Sequence, residues 1–262
     1  MSTAHKATVQ NFYRRLWSTE AARAVAECTS PDYIEHQASA GFSRWGLVDY
    51  VQRRRAAYPQ QQMVIHRTIA QGSWVFVHVE ERLDEEHAVA RGELFRLQRN
   101  EIQEHWSAHV KDRKPRKNPN GTFDGPDVDL RKDSAARFVT RFQELDLIGF
   151  GEFDFAAFLV NRTERYIEHS PTGCDGRAGL IEVLQKIAAG GARMSVSIKH
   201  TLVEGDFIVS HRLYRTQPPY PDCKTINVFD LFRMTDEGQA DEHWDIMEEI
   251  ESESEAHLAK IF

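Results

Sequence analysis

The four residues YIEH occupy positions 33–36 and occur again at positions 166–169 of a chain of 262 residues. A true internal repeat must carry neighbouring features along at the same spacing. An offset of 133 also relates three further pairs: Gly46 and Gly179, Thr68 and Thr201, and His78 and His211. GELFRL at 92–97 matches FDLFRM at 229–234 with an offset of 137, and EHW at 104–106 recurs at 242–244 with an offset of 138. Because loops tolerate such small insertions, the sequence predicts a tandem duplication.

The duplication predicts two domains, residues 1–112 and 133–262, each of a size that folds around its own core. Residues 113–132 lie between them, in a stretch that mixes Lys and Arg with Pro and Gly. This composition is typical of a solvated linker or an extended strap. A phosphate-binding role for the same stretch is the alternative.

The composition argues against several classes of function. The net charge is −7, whereas nucleic-acid binding usually needs a concentrated basic face. No apolar run approaches the roughly 20 residues that span a bilayer. The three cysteines have neither disulfide nor zinc spacing, and the first ten residues lack an apolar signal segment. We therefore expect a cytoplasmic protein that binds a small molecule, and neither nucleic acid nor membrane.

Each repeat places helical patterns before strand patterns. Apolar residues recur every three or four positions in TVQNFYRRLW at 8–17 and in SAARFVTRFQEL at 134–145. A further helix is predicted after each YIEH. The rest of each repeat consists of β-rich runs around glycine turns. Helices followed by an antiparallel meander predict an α+β fold in which helices cover one face of a curved sheet.

The second repeat contains five motifs in order: YIEH at 166–169, GRAGL at 176–180, EGDFIVSH at 204–211, FDLFR at 229–233 and DEHWDI at 241–246. This ordered set resembles the SnoaL-like polyketide cyclase group of the nuclear transport factor 2-like superfamily, and the first repeat resembles it over the same span. The resemblance implies two cone-shaped α+β barrels fused as a pseudo-dimer, without cofactor or metal. It does not imply one reaction, because this superfamily includes cyclases, isomerases, dehydratases, epoxide hydrolases and binding proteins. Whether the chain forms a further homo-oligomer stays open.

Polar residues on otherwise apolar strand faces are the candidates for chemistry, because successive side chains alternate across a strand. Asp230 shares a face with Val228 and Phe232, and Glu93 shares a face with Phe95. Histidines occur in the same way on the neighbouring strands. With the histidines of YIEH, two matching sets result: His36, His78, Glu93 and His105 in the first repeat, and His169, His211, Asp230 and His243 in the second.

These sets suggest general acid–base catalysis, because burial and a neighbouring imidazole can poise a carboxylate to move protons near neutral pH. By the resemblance, Asp230 takes the place of the carboxylate with which SnoaL-type cyclases remove a proton next to a carbonyl, and Glu93 is its equivalent in the first repeat. His211 and His243 are the candidate donors to the developing oxyanion, and His169 would position the substrate. The predicted function is aldol-type cyclisation, isomerisation or a lyase reaction on a small carbonyl or polyketide-like substrate.

The second repeat is the nearer match to the family pattern. Asp245 in DEHWDI is replaced by Ser107 in the first repeat, and Asp230 is replaced by the longer Glu93. We therefore expect the second pocket, with Asp245, to be catalytic, and the first to be specialised or structural.

Three alternatives remain open from the sequence. Three histidines and a carboxylate also suit a divalent transition metal, as in an oxygenase or hydrolase, if all four converge on one point. The ligands would then be the two sets named above: His36, His78, His105 and Glu93, and His169, His211, His243 and Asp230. A pocket that only binds a hydrophobic small molecule is the second alternative. The third is a structural role, in which buried acids and histidines satisfy one another.

Overall fold

The computed structural model describes residues 2–112, 116, 118–171, 173–191, 193–217, 224–250 and 254–262. The chain forms two compact units, of which unit 1 contains Met1–Lys111 and Ser252–Phe262, and unit 2 contains Asp112–Glu251. Each unit therefore combines one repeat with the segment that follows the last strand of the other repeat. Residues 113–132, predicted as a linker, belong to unit 2, with 113–115 and 117 outside the described residues. Residues 252–262, predicted as the end of the second repeat, belong to unit 1.

Unit 1 begins with helices α1 (Ser2–Leu16) and α2 (Ala21–Cys28), which lead into strand β1 (Thr29–Glu35). A short 3-10 turn at Ala38–Ala40 precedes helix α3 (Arg44–Ala57). Ser43 caps α3, because its side chain accepts a hydrogen bond from the amide of Gly46. Four strands complete the sheet: β2 (Gln62–Gln71), β3 (Trp74–Arg82), β4 (Ala88–Gln98) and β5 (Glu101–Asp112).

Unit 2 repeats this order. Helices α4 (Ser134–Gly151) and α5 (Phe155–Val160) precede strand β6 (Arg162–Glu168), and helix α6 (Gly176–Ala189) follows it. The other strands are β7 (Arg193–Glu204), β8 (Phe207–Gln217), β9 (Thr225–Met234) and β10 (Ala240–Glu249). The last helix of the chain, α7 (Glu255–Ile261), belongs to unit 1.

The two sheets have the same topology, β1-β5-β4-β3-β2 and β6-β10-β9-β8-β7. At one edge β1 runs parallel to β5, and β6 runs parallel to β10, whereas the pairings described within β2–β4 and β7–β10 are antiparallel. Each YIEH sequence thus ends a parallel edge strand, so the sheets are mixed and not purely antiparallel as predicted. A parallel pair needs a long crossover, and here a helix and three strands separate the two strands along the chain. The tandem α+β fold is confirmed.

The helices cover one face of each sheet, which we call the inner face, and the opposite face is the outer face. In unit 1 the core joins Phe12 of α1 and Val51 of α3 to Val77 of β3. In unit 2 the ring of Phe142 on α4 packs 4.8 Å from the ring of Phe232 on β9. These contacts show which strand residues face the helices. Among the described residues, none of the helices has the length and apolar character needed to cross a membrane.

Candidate functional site

Three of the predicted site residues meet on the inner face of unit 2. In the antiparallel pairing of β9 with β10, Asp245 lies directly opposite Asp230, and His243 lies opposite Phe232. Directly paired residues point to the same face of a sheet. Because Phe232 packs against helix α4, all these side chains lie on the inner face.

His243 is held between two carboxylates. Its Nδ1 lies 2.9 Å from Oε2 of Glu168, and its Nε2 lies 3.2 Å from Oδ1 of Asp230. Burial disfavours a charged imidazole, but the two carboxylates outweigh burial and raise the pKa of His243 to about 10. At neutral pH His243 is therefore an imidazolium that donates one hydrogen bond to each carboxylate.

Asp230 continues into a buried chain of alternating charges. Its Oδ2 accepts a hydrogen bond of 2.8 Å from the hydroxyl of Tyr214 and lies 3.2 Å from Nε of Arg212. Arg212 also donates from Nη1 to Asp146, and Arg162 donates to the other oxygen of Asp146 at 2.6 Å. Burial raises the pKa of Asp146, but the two guanidinium groups outweigh burial and lower it below its ordinary value. Nη2 of Arg212 has no hydrogen-bond partner in the described part of the chain.

Asp245 is the one half-buried acid in this group, and its Oδ1 has no hydrogen-bond partner among the described residues. Burial raises its pKa to about 7, and nearby Glu168 adds to the increase. His243 and a hydrogen bond with the side chain of Ser170 act in the opposite direction. At neutral pH this carboxyl group can therefore both accept and release a proton.

The formal charges around Asp245 explain why it resists ionisation. We call seven residues the unit 2 cluster: Arg162, Arg212, His243, Asp146, Glu168, Asp230 and Asp245. The first three carry positive charges and the next three carry negative charges, which balance. An ionised Asp245 adds an uncompensated negative charge to a site of low dielectric constant, and this is costly.

The equivalent positions in unit 1 form a second cluster, in which the carboxylate, the histidine and the arginine all have hydrogen-bond partners. His105 lies between Glu35, at 3.0 Å from its Nδ1, and Glu93, at 2.8 Å from its Nε2. The other oxygen of Glu93 accepts hydrogen bonds from Tyr13 at 3.0 Å and from Nε of Arg91 at 2.7 Å. Burial is again outweighed by the charged partners, so the pKa of Glu93 falls to about 2 and that of His105 rises to about 9. Glu93 is therefore a buried anion without a free oxygen.

The guanidinium group of Arg91 completes this cluster. Its Nη1 donates to Tyr50 at 3.0 Å and to Glu81 at 3.3 Å, and its Nη2 donates to the hydroxyl of Ser107 at 3.4 Å. Glu81 accepts a second cation, Arg54, at 2.6 Å. Ser107 occupies the position of Asp245, so a neutral hydroxyl in unit 1 replaces the titrating carboxyl group of unit 2.

The histidines of YIEH lie on the outer face and not in these clusters. His36 stacks on Trp106 with ring centroids 4.3 Å apart, and its Nε2 lies 3.1 Å from Glu104. His169 stacks in the same way on Trp244, at 4.5 Å. The predicted placement of His36 and His169 with the carboxylates is wrong. Since side chains alternate along a strand, the preceding glutamate faces inward and the histidine faces outward.

His78 and His211 also lie on the outer face. His78 pairs with Gly92, and His211 pairs with Phe229. Each of these partners comes one residue before the carboxylate of its strand, so each histidine lies on the face opposite that carboxylate. Their predicted convergence with Glu93 and Asp230 is wrong for this reason. Alternation within one strand predicts which residues share a face of that strand, but the register between strands decides which faces coincide.

The same geometry separates the two predicted metal-ligand sets. Only His105 with Glu93, and His243 with Asp230, lie on one face, and the other two histidines of each set lie on the opposite face. Among the described residues, no group of three or more His, Cys, Asp or Glu side chains is placed to hold a metal ion.

Several members of the clusters were not predicted. Glu35 and Glu168 are the third residue of YIEH, two positions after a tyrosine that donates to each of them, at 2.6 and 3.1 Å. The repeated motif and the spacing of two could have indicated that both side chains share one face. Arg212 and Asp146 gave no comparable signal, because they come from different elements and have different residues at the equivalent positions of unit 1.

No protein-family model matches the sequence, and no curated protein is similar to it. Solved structures are similar to it. TsrD from Streptomyces laurentii is 21% identical over 43% of this chain and 89% of its own, with a TM-score of 0.38. A candidate SnoaL-like polyketide cyclase from Shewanella denitrificans is 16% identical over 41% of this chain and 90% of its own, with a TM-score of 0.37.

An LEH-like epoxide hydrolase from M. tuberculosis is 15% identical over 41% of this chain and 80% of its own, with a TM-score of 0.37. Each of these three structures covers less than half of this chain. Identities this low leave the reaction to be argued from the residues of the two clusters.

Proposed function

We propose that unit 2 catalyses cofactor-free proton transfer at a carbon next to a carbonyl group, on a small carbonyl or polyketide-like substrate, with Asp245 as the base. The observation that carries the proposal is the carboxyl group of Asp245, a half-buried residue whose buried Oδ1 has no hydrogen-bond partner among the described residues. Its pKa of about 7 lets it take up and return a proton near neutral pH.

The step balances within the site. Asp245 takes the proton from the carbon, the C–H electron pair forms the C=C bond of an enolate, and the carbonyl oxygen becomes an oxyanion. Return of the proton to another atom gives isomerisation. Attack of the enolate on a second carbonyl carbon forms a C–C bond and an alkoxide, and return of the proton from Asp245 to that alkoxide completes aldol cyclisation. Protonation of Asp245 also restores the charge balance of the unit 2 cluster, which favours its action as a base.

Arg212 is the candidate donor to the oxyanion, because its Nη2 is buried and has no partner among the described residues. In unit 1 the corresponding guanidinium nitrogen and the side chain at the position of Asp245 bond to each other, at 3.4 Å. In unit 2 the Nη2 of Arg212 and the Oδ1 of Asp245 have no hydrogen-bond partner among the described residues. A ligand that offers a hydrogen-bond acceptor to Arg212 and an acidic C–H to Asp245 therefore suits this place.

Asp230, the base predicted from the sequence, has a different role in this proposal. Both its oxygens already have partners, which are His243, Tyr214 and Arg212. Asp230 would hold His243 and Arg212 in place and not touch the substrate. His211 and His169 lie on the outer face and take no part.

Half-buried apolar residues on β7 suit the apolar part of such a substrate. Met194, Val196 and Ile198 are each paired with a residue of β8, and Ile198 lies opposite Arg212. They therefore share the inner face with the cluster. Small-molecule sites are typically apolar with a few polar groups that fix orientation.

The test is proton exchange at the α-carbon of cyclohexanone, 2-tetralone and acetoacetate in D2O, followed by NMR with the full chain. We expect Asp245→Asn to lower the catalysed rate about 10²- to 10⁴-fold. Ser107→Ala, at the equivalent position of unit 1, should keep the wild-type rate. Full activity of Asp245→Asn with loss of activity in Asp230→Asn would return the base to Asp230. Saturable binding of these ketones without exchange would favour a binding protein.

A further inference from the structure

A segment that begins just after β5 is bonded to the outer face of unit 2. We call residues 118–133 the strap. His169 donates from Nδ1 to the carbonyl of Gly121 at 2.8 Å, and the indole of Trp244 donates to the carbonyl of Asp124 at 3.1 Å. Thr122 is buried and donates to Asp112 at 3.0 Å. The stretch predicted as a solvated linker or an extended strap thus contains, among its described residues, groups bonded to unit 2.

Two asparagines of the strap hold the backbone of one loop, residues 168–175, which we call the 168–175 loop. Asn118 is buried, and its side-chain amide donates to the carbonyl of Ser170 at 2.7 Å. The side-chain amide of Asn120 donates to the carbonyl of Glu168 at 3.0 Å. Residue 172 of this loop lies outside the described residues.

The same loop carries two side chains that contact His243 and Asp245 of unit 2. The carboxylate of Glu168 binds His243 at 2.9 Å, and the side chain of Ser170 hydrogen-bonds Asp245. The backbone amide of Ser170 also donates to Glu168, at 2.9 Å. A shift of this backbone therefore moves the partners of His243 and Asp245 together.

The corresponding loop of unit 1 is held by its own residues. Its 3-10 turn is closed by a hydrogen bond of 3.1 Å from the amide of Ala40 to the carbonyl of Gln37, and the side chain of Gln37 donates to Ser39 at 2.7 Å. The segment that covers His36 contributes a backbone carbonyl, that of Lys260, at 2.6 Å. In unit 2 the 168–175 loop also has hydrogen bonds of its own, and the side-chain amides of Asn118 and Asn120 bond its backbone in addition.

We propose that Asn118 and Asn120 are positioning residues for the chemistry of unit 2. By fixing the backbone of residues 168–170, they hold Glu168 against His243 and Ser170 against Asp245. This inference rests on the proposed function for its catalytic meaning. The contacts themselves can be tested without substrate.

The experiment compares the full chain with Asn120→Ala and Asn118→Asp. The second variant removes the amide donor but keeps the side-chain oxygen that accepts from the backbone amide of Asn120 at 3.0 Å. Arg131→Ala is the matched control, because Arg131 lies in the strap, has a largely exposed side chain and pairs with Asp129 in the same strap. The readout is the imidazole titration of His243 by 15N NMR, with His105 of unit 1 as the internal reference.

We expect His243 to lose its proton at least about one pH unit lower in both variants, because looser contact with Glu168 weakens the stabilisation of its charge. His105 and the Arg131→Ala chain should titrate as the wild type does. In the exchange assay with 2-tetralone, kcat should fall roughly tenfold with KM unchanged, since misplacement affects the reacting groups and not uniform binding.

An unchanged titration of His243 would overturn the inference, and so would equal shifts of His243 and His105, which would indicate general destabilisation. The proposed function fails in a different way, through full exchange activity of Asp245→Asn. In that case the titration of the strap variants would still decide whether Asn118 and Asn120 set the local geometry.

Discussion

The clusters of units 1 and 2 contain the same kinds of group, but they obtain the guanidinium from different strands. Arg91 lies on β4, opposite Val79 of β3, whereas Arg212 lies on β8, opposite Val228 of β9. The two cross-strand pairs occupy equivalent positions, so arginine and valine have exchanged places. In both units the guanidinium contacts the carboxylate that we call the central carboxylate, which is Glu93 in unit 1 and Asp230 in unit 2. The site therefore requires a guanidinium group beside this carboxylate, and either strand can supply it.

The tyrosine and the second acid have exchanged positions as well. Hydrogen bonds from Gln10 to Thr68 and from Gln143 to Thr201, both of 2.9 Å, align the first helices of the two units with an offset of 133. By this alignment Tyr13 of unit 1 corresponds to Asp146 of unit 2, and Glu81 corresponds to Tyr214. Each unit thus keeps one hydroxyl donor to the central carboxylate and one acid partner for the arginine.

The difference that remains after these exchanges lies at one position and one helix. Ser107 in unit 1 accepts a hydrogen bond from Nη2 of Arg91, whereas in the described part of unit 2 the Oδ1 of Asp245 and the Nη2 of Arg212 have no partner. Helix α3 buries Leu47, Val48, Tyr50 and Val51, but in α6 Leu184 is the buried residue of the described side chains. Unit 1 has more buried side chains on its helix and a cluster in which Arg91 and Ser107 are bonded to each other, whereas in the described part of unit 2 the acid keeps a buried oxygen without a partner. The comparison predicts a structural role for the first cluster and a chemical role for the second.

The largest expected effect on stability comes from removing the guanidinium of either unit. Arg91→Met leaves Glu81 and Glu93 short of a cation, and Arg212→Met does the same to Asp146 and Asp230. Uncompensated buried charges of this kind cost about 3–5 kcal/mol. We therefore expect each variant to lose that much free energy of unfolding in its own unit, measured by denaturant-dependent hydrogen exchange of β3 and β4 or of β8 and β9.

Arg131→Met is the control for both variants, since its side chain is exposed and the change should stay within about 0.5 kcal/mol. A loss below about 1 kcal/mol in either unit would mean that its carboxylates do not depend on the arginine. A large loss in one unit alone would show that the exchange of positions has not preserved the energetics.

The fold could be predicted because duplication doubles every sequence signal. YIEH and the EHW sequence recur with nearly constant offsets, so turns and strands were located twice. The parallel edge was not predicted, because seven-residue β1 and β6 have no pattern that reveals the direction of their partner. Direction follows from the crossover and not from local preference.

The site was only partly predictable, for reasons of register and long-range contact. The sequence predicts that His243 and Asp230 are neighbours, because each lies on an otherwise apolar face of its own strand, and the two side chains are in contact. His211 also lies on an otherwise apolar face of its own strand. It nevertheless faces outward, since pairing between β8 and β9 places it opposite Phe229. Asp146 comes from a helix 66 residues before Arg212, and no local pattern links two such residues.

A second prediction concerns the pH dependence of stability at Asp245. Its pKa is raised from 3.8 to about 7 in the folded protein, so between these values the folded state binds more protons than the unfolded state. Stability due to this group therefore falls as the pH rises from about 4 to 7 and then levels off. Asp245→Asn cannot ionise and should escape this loss.

At pH 8 we expect Asp245→Asn to be more stable than the wild type by about 1–2 kcal/mol, after allowance for solvent screening of a half-buried group. Near pH 3 the two should be equally stable. Urea titrations at several pH values measure this difference, with Ser107→Ala as the matched change in unit 1. A constant difference between the Asp245→Asn chain and the wild type at all pH values would show that Asp245 titrates as an ordinary surface acid.

A third prediction tests whether the exchanged tyrosines are equivalent. Tyr13 donates to Glu93 at 3.0 Å, and Tyr214 donates to Asp230 at 2.8 Å, although one comes from a helix and the other from a strand. Burial raises the pKa of both phenols well above the ordinary value, so each keeps its proton and remains a donor.

Tyr13→Phe and Tyr214→Phe should each cost about 1–2 kcal/mol, because each removes one hydrogen bond to a buried charged group and adds no cavity. Hydrogen exchange in β4 and β9 reports the two units separately. The two losses should agree within about 0.5 kcal/mol if the units differ only at Asp245 and its surroundings. A cost confined to Tyr13→Phe would mean that Asp230 is already satisfied by Arg212 and His243, and Tyr214 would then be free to donate to a ligand in unit 2.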